Sequence, residues 1–235
     1  MKKKPQQQAI PDDTAVLQAW HENAGAWTRA VREDKIKSRL LVTNQAIIDA
    51  VVKLNPRSVL DLGCGEGWLS GQLAALDIAV LGIDAIPELI TAAQQSYGDN
   101  AQFLTLRYED VPTALAPRRF DLIVCNFSLL GNESVAALLK TLPELLTESA
   151  SILIQTLNPN TVNKAHESTD GWRQESWQGI GDGFRGAAPW YYRTLASWHQ
   201  LFQDCALHLR YSLQPCHPES DTPASIIFCL KSDRL

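Results

Sequence analysis

The run VLDLGCGEGW, Val59 to Trp68, ends a hydrophobic segment in three glycines at alternate positions and then opens a helical pattern. A strand that stops in glycines and re-enters as a helix builds a tight turn at its carboxyl end, where a ligand can approach bare main chain. Gly63, Gly65 and Gly67 follow G-x-G-x-G, not the G-x-G-x-x-G of dinucleotide binding. Asp61 stands two residues before the first glycine. A carboxylate there disfavours a pyrophosphate and favours a cationic or amine-bearing ligand. Cys64 contributes main chain to the turn, Glu66 reads as a first-turn helix acid facing the dipole, and Trp68 as packing between helix and sheet.

Outward from this turn the chain alternates. Strands are predicted over 58–62, 79–84, 101–106, 120–126 and 150–157, with helices over 67–76, 87–96 and 134–147, the last interrupted at Pro143. A helix over 194–206 and two strands over 207–213 and 224–230 close the chain. Before the turn, apolar residues at steps of three and four predict helices over 12–31 and 38–54, the second stopped at Pro56. This order predicts an α/β fold, a doubly wound, mostly parallel sheet with an antiparallel last strand. The expected organisation is a disordered tail (1–12), an N-terminal helical cap (13–55) and a main domain (56–235) with an insertion over 159–193.

The second strand ends in Asp84, where such folds accept hydrogen bonds from two ribose hydroxyls. That acid suits NAD and S-adenosylmethionine alike; the glycine spacing and Asp61 separate them. VLDLGCGEGW, then VLGIDAIPELI, then FDLIVCNFSLL, together resemble the class I S-adenosylmethionine-dependent methyltransferases over roughly 57–158. ILIQTLNPN is further similar to the ubiquinone-pathway O-methyltransferases.

The resemblance implies a seven-strand Rossmann-like methyltransferase fold and S-adenosylmethionine as cofactor. It places Gly63, Cys64 and Gly65 against the methionine part, Asp61 toward its amino group, Asp84 on the ribose, and Ala85 and Ile86 beside the adenine. An Asp-led turn often follows the third strand in that family. Here Arg107 stands in the leading place, and Glu109, or next to it Asp110, is the substitute acid for the adenine amine. Asn126 and Phe127 would line the sulfonium and the point of methyl transfer.

The chain of 235 residues is 45% hydrophobic and 20% charged, ordinary for one globular domain with embellishments. The net charge of −5 supplies no basic face for nucleic acid, and the NFSL turn lacks the prolines of enzymes that methylate exocyclic base amines. No long apolar run predicts a membrane span, and no cysteine–histidine spacing predicts a metal. Five scattered cysteines fit a reducing cytoplasm, and the assembly is expected to be a monomer or homodimer.

A small-molecule acceptor is therefore expected. His166, after the fifth strand, is the candidate general base. The stretch GWRQESWQGIGDGFRGAAPWYYR, Gly171 to Arg193, carries three of the seven tryptophans among five glycines. It reads as a lid or wall over the acceptor, with Trp172, Trp177, Phe184, Trp190, Tyr191 and Arg193 as substrate residues beside Trp27 and Arg39 of the N-terminal helices. Arginines beside aromatics suit a planar acceptor bearing a carboxylate or phenolate. The alternatives are an NAD-linked oxidoreductase and a non-catalytic cofactor-binding module.

Overall fold

The structure, a computed structural model, describes residues 10–162 and 169–232. The tail expected over 1–12 lies outside the described residues up to residue 9, and Asp12 already caps the first helix by accepting from Ala15 N.

In chain order the elements are α1 (Asp13–Arg32), a π-helical turn (Arg39–Thr43), α2 (Asn44–Leu54), β1 (Ser58–Leu62), α3 (Trp68–Ala74), β2 (Ala79–Asp84), α4 (Pro87–Tyr97) and β3 (Gln102–Thr105). Then come α5 (Val111–Leu115), β4 (Phe120–Asn126), α6 (Glu133–Thr141), β5 (Leu146–Thr156) and α7 (Pro159–Val162). A hairpin follows, β6 (Gly171–Glu175) with β7 (Ala188–Tyr192), and then α8 (Leu195–Asp204), β8 (Leu207–Leu213) and β9 (Ile226–Ser232).

Seven strands form one sheet in the order β3-β2-β1-β4-β5-β9-β8. The first five are parallel, and β9 runs antiparallel to both β5 and β8. Both faces are covered, which is why β1 and β4 read as nearly unbroken apolar runs. Leu60, Ile83, Ile123 and Ile154 meet α6 and α8 on one side; Val59, Val80, Leu122 and Leu153 meet α2, α3 and α4 on the other. The strand order reverses between β1 and β4, so ligands are expected at their carboxyl ends.

The elements depart from the sequence reading at several places. The helix expected over 38–54 opens as a π turn, which places Arg39 and Asn44 side by side. The helix expected over 134–147 ends at Thr141, because the next turn, Leu142–Leu145, tightens around Pro143. Strand β5 consequently starts at Leu146 rather than 150, with an irregular register against β4. The short helix α5 was not expected, nor was the two-stranded hairpin within the insertion.

Helix α1 is tied across the sheet's carboxyl edge. The Asp13 carboxylate accepts from Asn132 N and Ser134 N, both at 2.6 Å, at the start of α6. A carboxylate on these orphan N–H groups caps α6 from a distant part of the chain. None of the described helices is long and apolar enough to cross a membrane.

Candidate active site

The glycine turn is fastened to β2 by Gly63 N and Cys64 N, which both donate to Ile83 O (2.8 and 2.9 Å). Gly63 has φ +72°, and a Cβ there would collide with Ser128. Gly65, with φ +59°, is the open one: Trp27 Nε1 is the nearest atom to the space a side chain would take.

Three carboxylates surround the turn. Asp61 is 1% exposed, and Ser70 Oγ donates to its Oδ2 at 2.7 Å. Burial pushes its pKa up to about 7, the Ser70 bond opposes this, and the charges of Glu66 and Asp84 add to it. Asp84 accepts from Ile86 N through Oδ1 (2.9 Å) and from Gly65 N through Oδ2 (3.0 Å). Desolvation nevertheless lifts its pKa to about 6.

Glu66, read from the sequence as a helix acid facing the dipole, stands just before α3 and is also drawn into the cluster. It is 4% exposed, and Trp27 Nε1 donates to its Oε2 at 2.8 Å. Burial raises its pKa against the pull of Arg39. The Arg39 guanidinium lies over the rings of Trp27 (5.7 Å) and Trp68 (5.1 Å), and its Nε donates to Asn44 Oδ1. Trp68, the first residue of α3, therefore holds an arginine as well as packing on the core between helices and sheet.

Two cavities open beside this cluster, of about 210 and 650 Å³. They share one wall: Trp20, Trp27, Arg39, Asn126, Phe127 and Leu130. Of the residues expected at the cofactor, Asp61, Gly63, Cys64 and Gly65 line the smaller cavity on the turn side. Asp84, Ala85, Ile86 and Glu109 line it further along. Glu109 is exposed there and paired with Arg107 at 2.7 Å, so its carboxylate is shared. Asn126 Oδ1 is buried with no hydrogen-bond partner.

Trp177, Trp190, Tyr191 and Arg193 line the larger cavity, together with Trp27 and Arg39. Trp172 and Phe184 stand behind the wall instead: Trp172 packs edge-on against Tyr191, and Phe184 stacks on Trp177 at 4.8 Å. Arg193 is spent on the fold. It is 4% exposed, donates to Gly131 O, Asn132 O and Asn132 Oδ1, and lies over the rings of Tyr191 and Trp198. A guanidinium so engaged has little left for a substrate carboxylate. His166 lies outside the described residues, and among the described residues no histidine lines the larger cavity. No group of three or more His, Cys, Asp or Glu side chains among them could hold a metal ion.

Sequence reasoning missed Trp20, Ser70 and Tyr108. The signal for Ser70 was a polar residue on the buried face of α3. Tyr108 is half-buried with its hydroxyl donating to Ser128 O, and nothing local announces that.

A family profile described as a methyltransferase domain matches residues 55–200, more than half of the chain. The chain belongs to that family and is a class I, S-adenosylmethionine-dependent methyltransferase. It is 29% identical over 169 residues to an uncharacterized methyltransferase of Mycobacterium bovis, covering 70% of this chain and 82% of the relative. It is 30% identical over 152 residues to a ubiquinone biosynthesis O-methyltransferase of Paraburkholderia phytofirmans, covering 63% of this chain and 65% of that one. In fold it matches the magnesium protoporphyrin IX methyltransferase of Synechocystis, solved with bound S-adenosylmethionine. The TM-score there is 0.63 at 17% identity, over 96% of this chain and 99% of that one. Nothing in these comparisons supports the NAD-linked or non-catalytic alternatives.

Proposed function

We propose that the smaller cavity holds S-adenosylmethionine and the larger one a small-molecule acceptor, aromatic or acidic, methylated on oxygen or, failing that, on nitrogen or carbon. The observation that carries this reading is the shared wall. An acid-lined cavity and an aromatic chamber of about 650 Å³ meet at Trp20, Trp27, Asn126 and Phe127, so a group held in one can face a group held in the other.

The donor set fits the cofactor chemically. Asp61 would take its ammonium, and the two oxygens of Asp84 have lone pairs left for a vicinal diol. Arg107 is paired with Glu109, which leaves Arg39 as the cation of the smaller cavity that suits the carboxylate. Arg39, taken from the sequence as a substrate residue, is thus better placed on the cofactor side. Ile86 is buried and apolar for the adenine, with Glu109 at its edge. When bound, the cofactor supplies an activated methyl group on a sulfonium.

The chain's own residues align and dry the site. Trp20 and Trp27 of the shared wall meet edge-on at 5.0 Å between centroids, and Trp20 continues the contact to Trp177 of the larger cavity at 5.4 Å. A hydroxyl acceptor must lose its proton, and for that case His166 keeps the proposed role of base. The test is turnover with aromatic acids against neutral aliphatic alcohols, followed by released S-adenosylhomocysteine. A clear preference for the alcohols would sink the acceptor class, and no turnover or binding at all would sink the cofactor assignment.

A further inference from the structure

Helix α1 works with two faces. Asp13, Leu17, Trp20 and Trp27 line the smaller cavity. Asn23, Ala26 and Ala30, at steps of three and four, make a second, buried face of small residues. The tip of the hairpin, residues 176–187, lies on that second face. A methyl group placed on Gly181 would stand 3.3 Å from Ala30 Cβ, and one on Gly183 would meet Arg29.

The closest link is Asn23. It is 1% exposed in the middle of a helix, a position where asparagine is unfavourable unless its amide is satisfied. Its Nδ2 donates to Ala19 O (2.8 Å) and to Arg185 O (3.0 Å), and its Oδ1 accepts from Arg185 N (2.7 Å). The clasp is to main chain on both sides, so it fixes the path of the tip whatever side chain stands at 185. It also fixes the amide's orientation, since the flipped amide would set donor against donor.

The hairpin stem has its own anchors, from Tyr191 N to Leu130 O and through Arg193. The tip has none of these. Beyond the Glu175–Ala188 pair no ladder continues, and Gly179, Gly181, Gly183 and Gly186 all have positive φ. Yet Trp177 and Ile180 of this tip wall the larger cavity, and Trp177 meets Trp20 of α1 edge-on at 5.4 Å.

We infer that Asn23 is a positioning residue that couples the two cavities: α1, settled over the cofactor by one face, sets the acceptor wall by the other. The acceptor chamber is then completed after cofactor binds, and by linkage each ligand tightens the other. This rests on the reading of the smaller cavity as the cofactor site.

None of residues 176–187 lines the smaller cavity, which makes them a clean reporter. Amide hydrogen exchange of the full chain is measured with and without saturating S-adenosylhomocysteine. In the wild type, exchange in 176–187 is expected to slow about fivefold or more, a shift in local opening. In Asn23→Ala that slowing disappears from the tip but persists in α1, while calorimetry finds the ligand's Kd within about twofold of wild type. Gly181→Val, made on the tip side in an exposed loop, is expected to lose the tip slowing in the same way. If the ligand binds and the wild-type tip is unaffected, or if Asn23→Ala keeps the slowing, the coupling is wrong. If the ligand does not bind, the cofactor reading itself fails.

Discussion

Trp27 Nε1 donates a 2.8 Å hydrogen bond to Glu66 Oε2, joining the helix above the smaller cavity to the glycine turn beneath it. Trp27→Phe keeps the ring and removes the donor. A buried carboxylate then loses one of its few partners, which should cost about 1–3 kcal/mol of stability and weaken S-adenosylmethionine binding. Chemical denaturation and calorimetric titration read the two effects. A variant as stable as wild type would show that the bond holds nothing.

Asp84 accepts two main-chain N–H groups and faces the cavity. Asp84→Ala removes the proposed ribose acceptor and also releases Gly65 N. Cofactor affinity should fall about tenfold to a hundredfold, the range for hydrogen bonds to a charged group. Unchanged affinity by calorimetry would move the cofactor elsewhere.

The two aspartates of the site should make the protein sensitive to pH. Asp61 and Asp84 have pKa values lifted by burial to about 7 and about 6, from 3.8. The folded protein therefore holds these protons more tightly than the unfolded chain does. Its stability is expected to fall as pH rises from about 4 to about 7 and to level off above that. A ligand bearing cationic groups prefers the ionised acids, so cofactor affinity should rise across the upper part of that window with release of protons. Titration calorimetry near pH 6.5 in buffers of different ionisation enthalpy measures the release. Proton uptake on binding would contradict the charge assignment.

Arg193 grips the turn before α6 through two carbonyls and a side chain. Arg193→Lys keeps the charge but not the fork, and should cost about 2–3 kcal/mol in an equilibrium unfolding experiment. If stability held and only acceptor KM rose, the residue would belong to substrate recognition after all.

The parts of the site that were legible in the sequence are those made by neighbours in the chain. Asp61, Gly63 and Gly65 belong to one turn, and Asp84 is the end of the adjoining strand, so local pattern brings them to one edge. The fate of Glu66 depends on Trp27, 39 residues earlier, and on Arg39 in the π turn; no local rule sees either partner. Arg193 reads like a ligand-binding arginine until the carbonyls of Gly131 and Asn132, 62 and 61 residues away, are found beneath it. The hairpin strands were hidden because their glycines and charges have the composition of a loop, while Tyr191 and Tyr192 pair with Trp172 and Gly171 regardless. Tertiary contact overrode local propensity there.

The Asp13 clasp on Asn132 and Ser134 bears on the order in which the molecule assembles. Its partners lie 119 and 121 residues further along, and Asn23's partner lies 162 further. Closing loops that long costs entropy before any contact returns it. Helix α1 can settle on α4 early, with Ala24 against Ile86 and Leu89 and Arg32 on Ala92 O, but its clasps must wait until α6 and the hairpin exist, and the Asn23 face stays uncovered until then. One helix thus takes its seat in two stages, first on α4 and later under the hairpin.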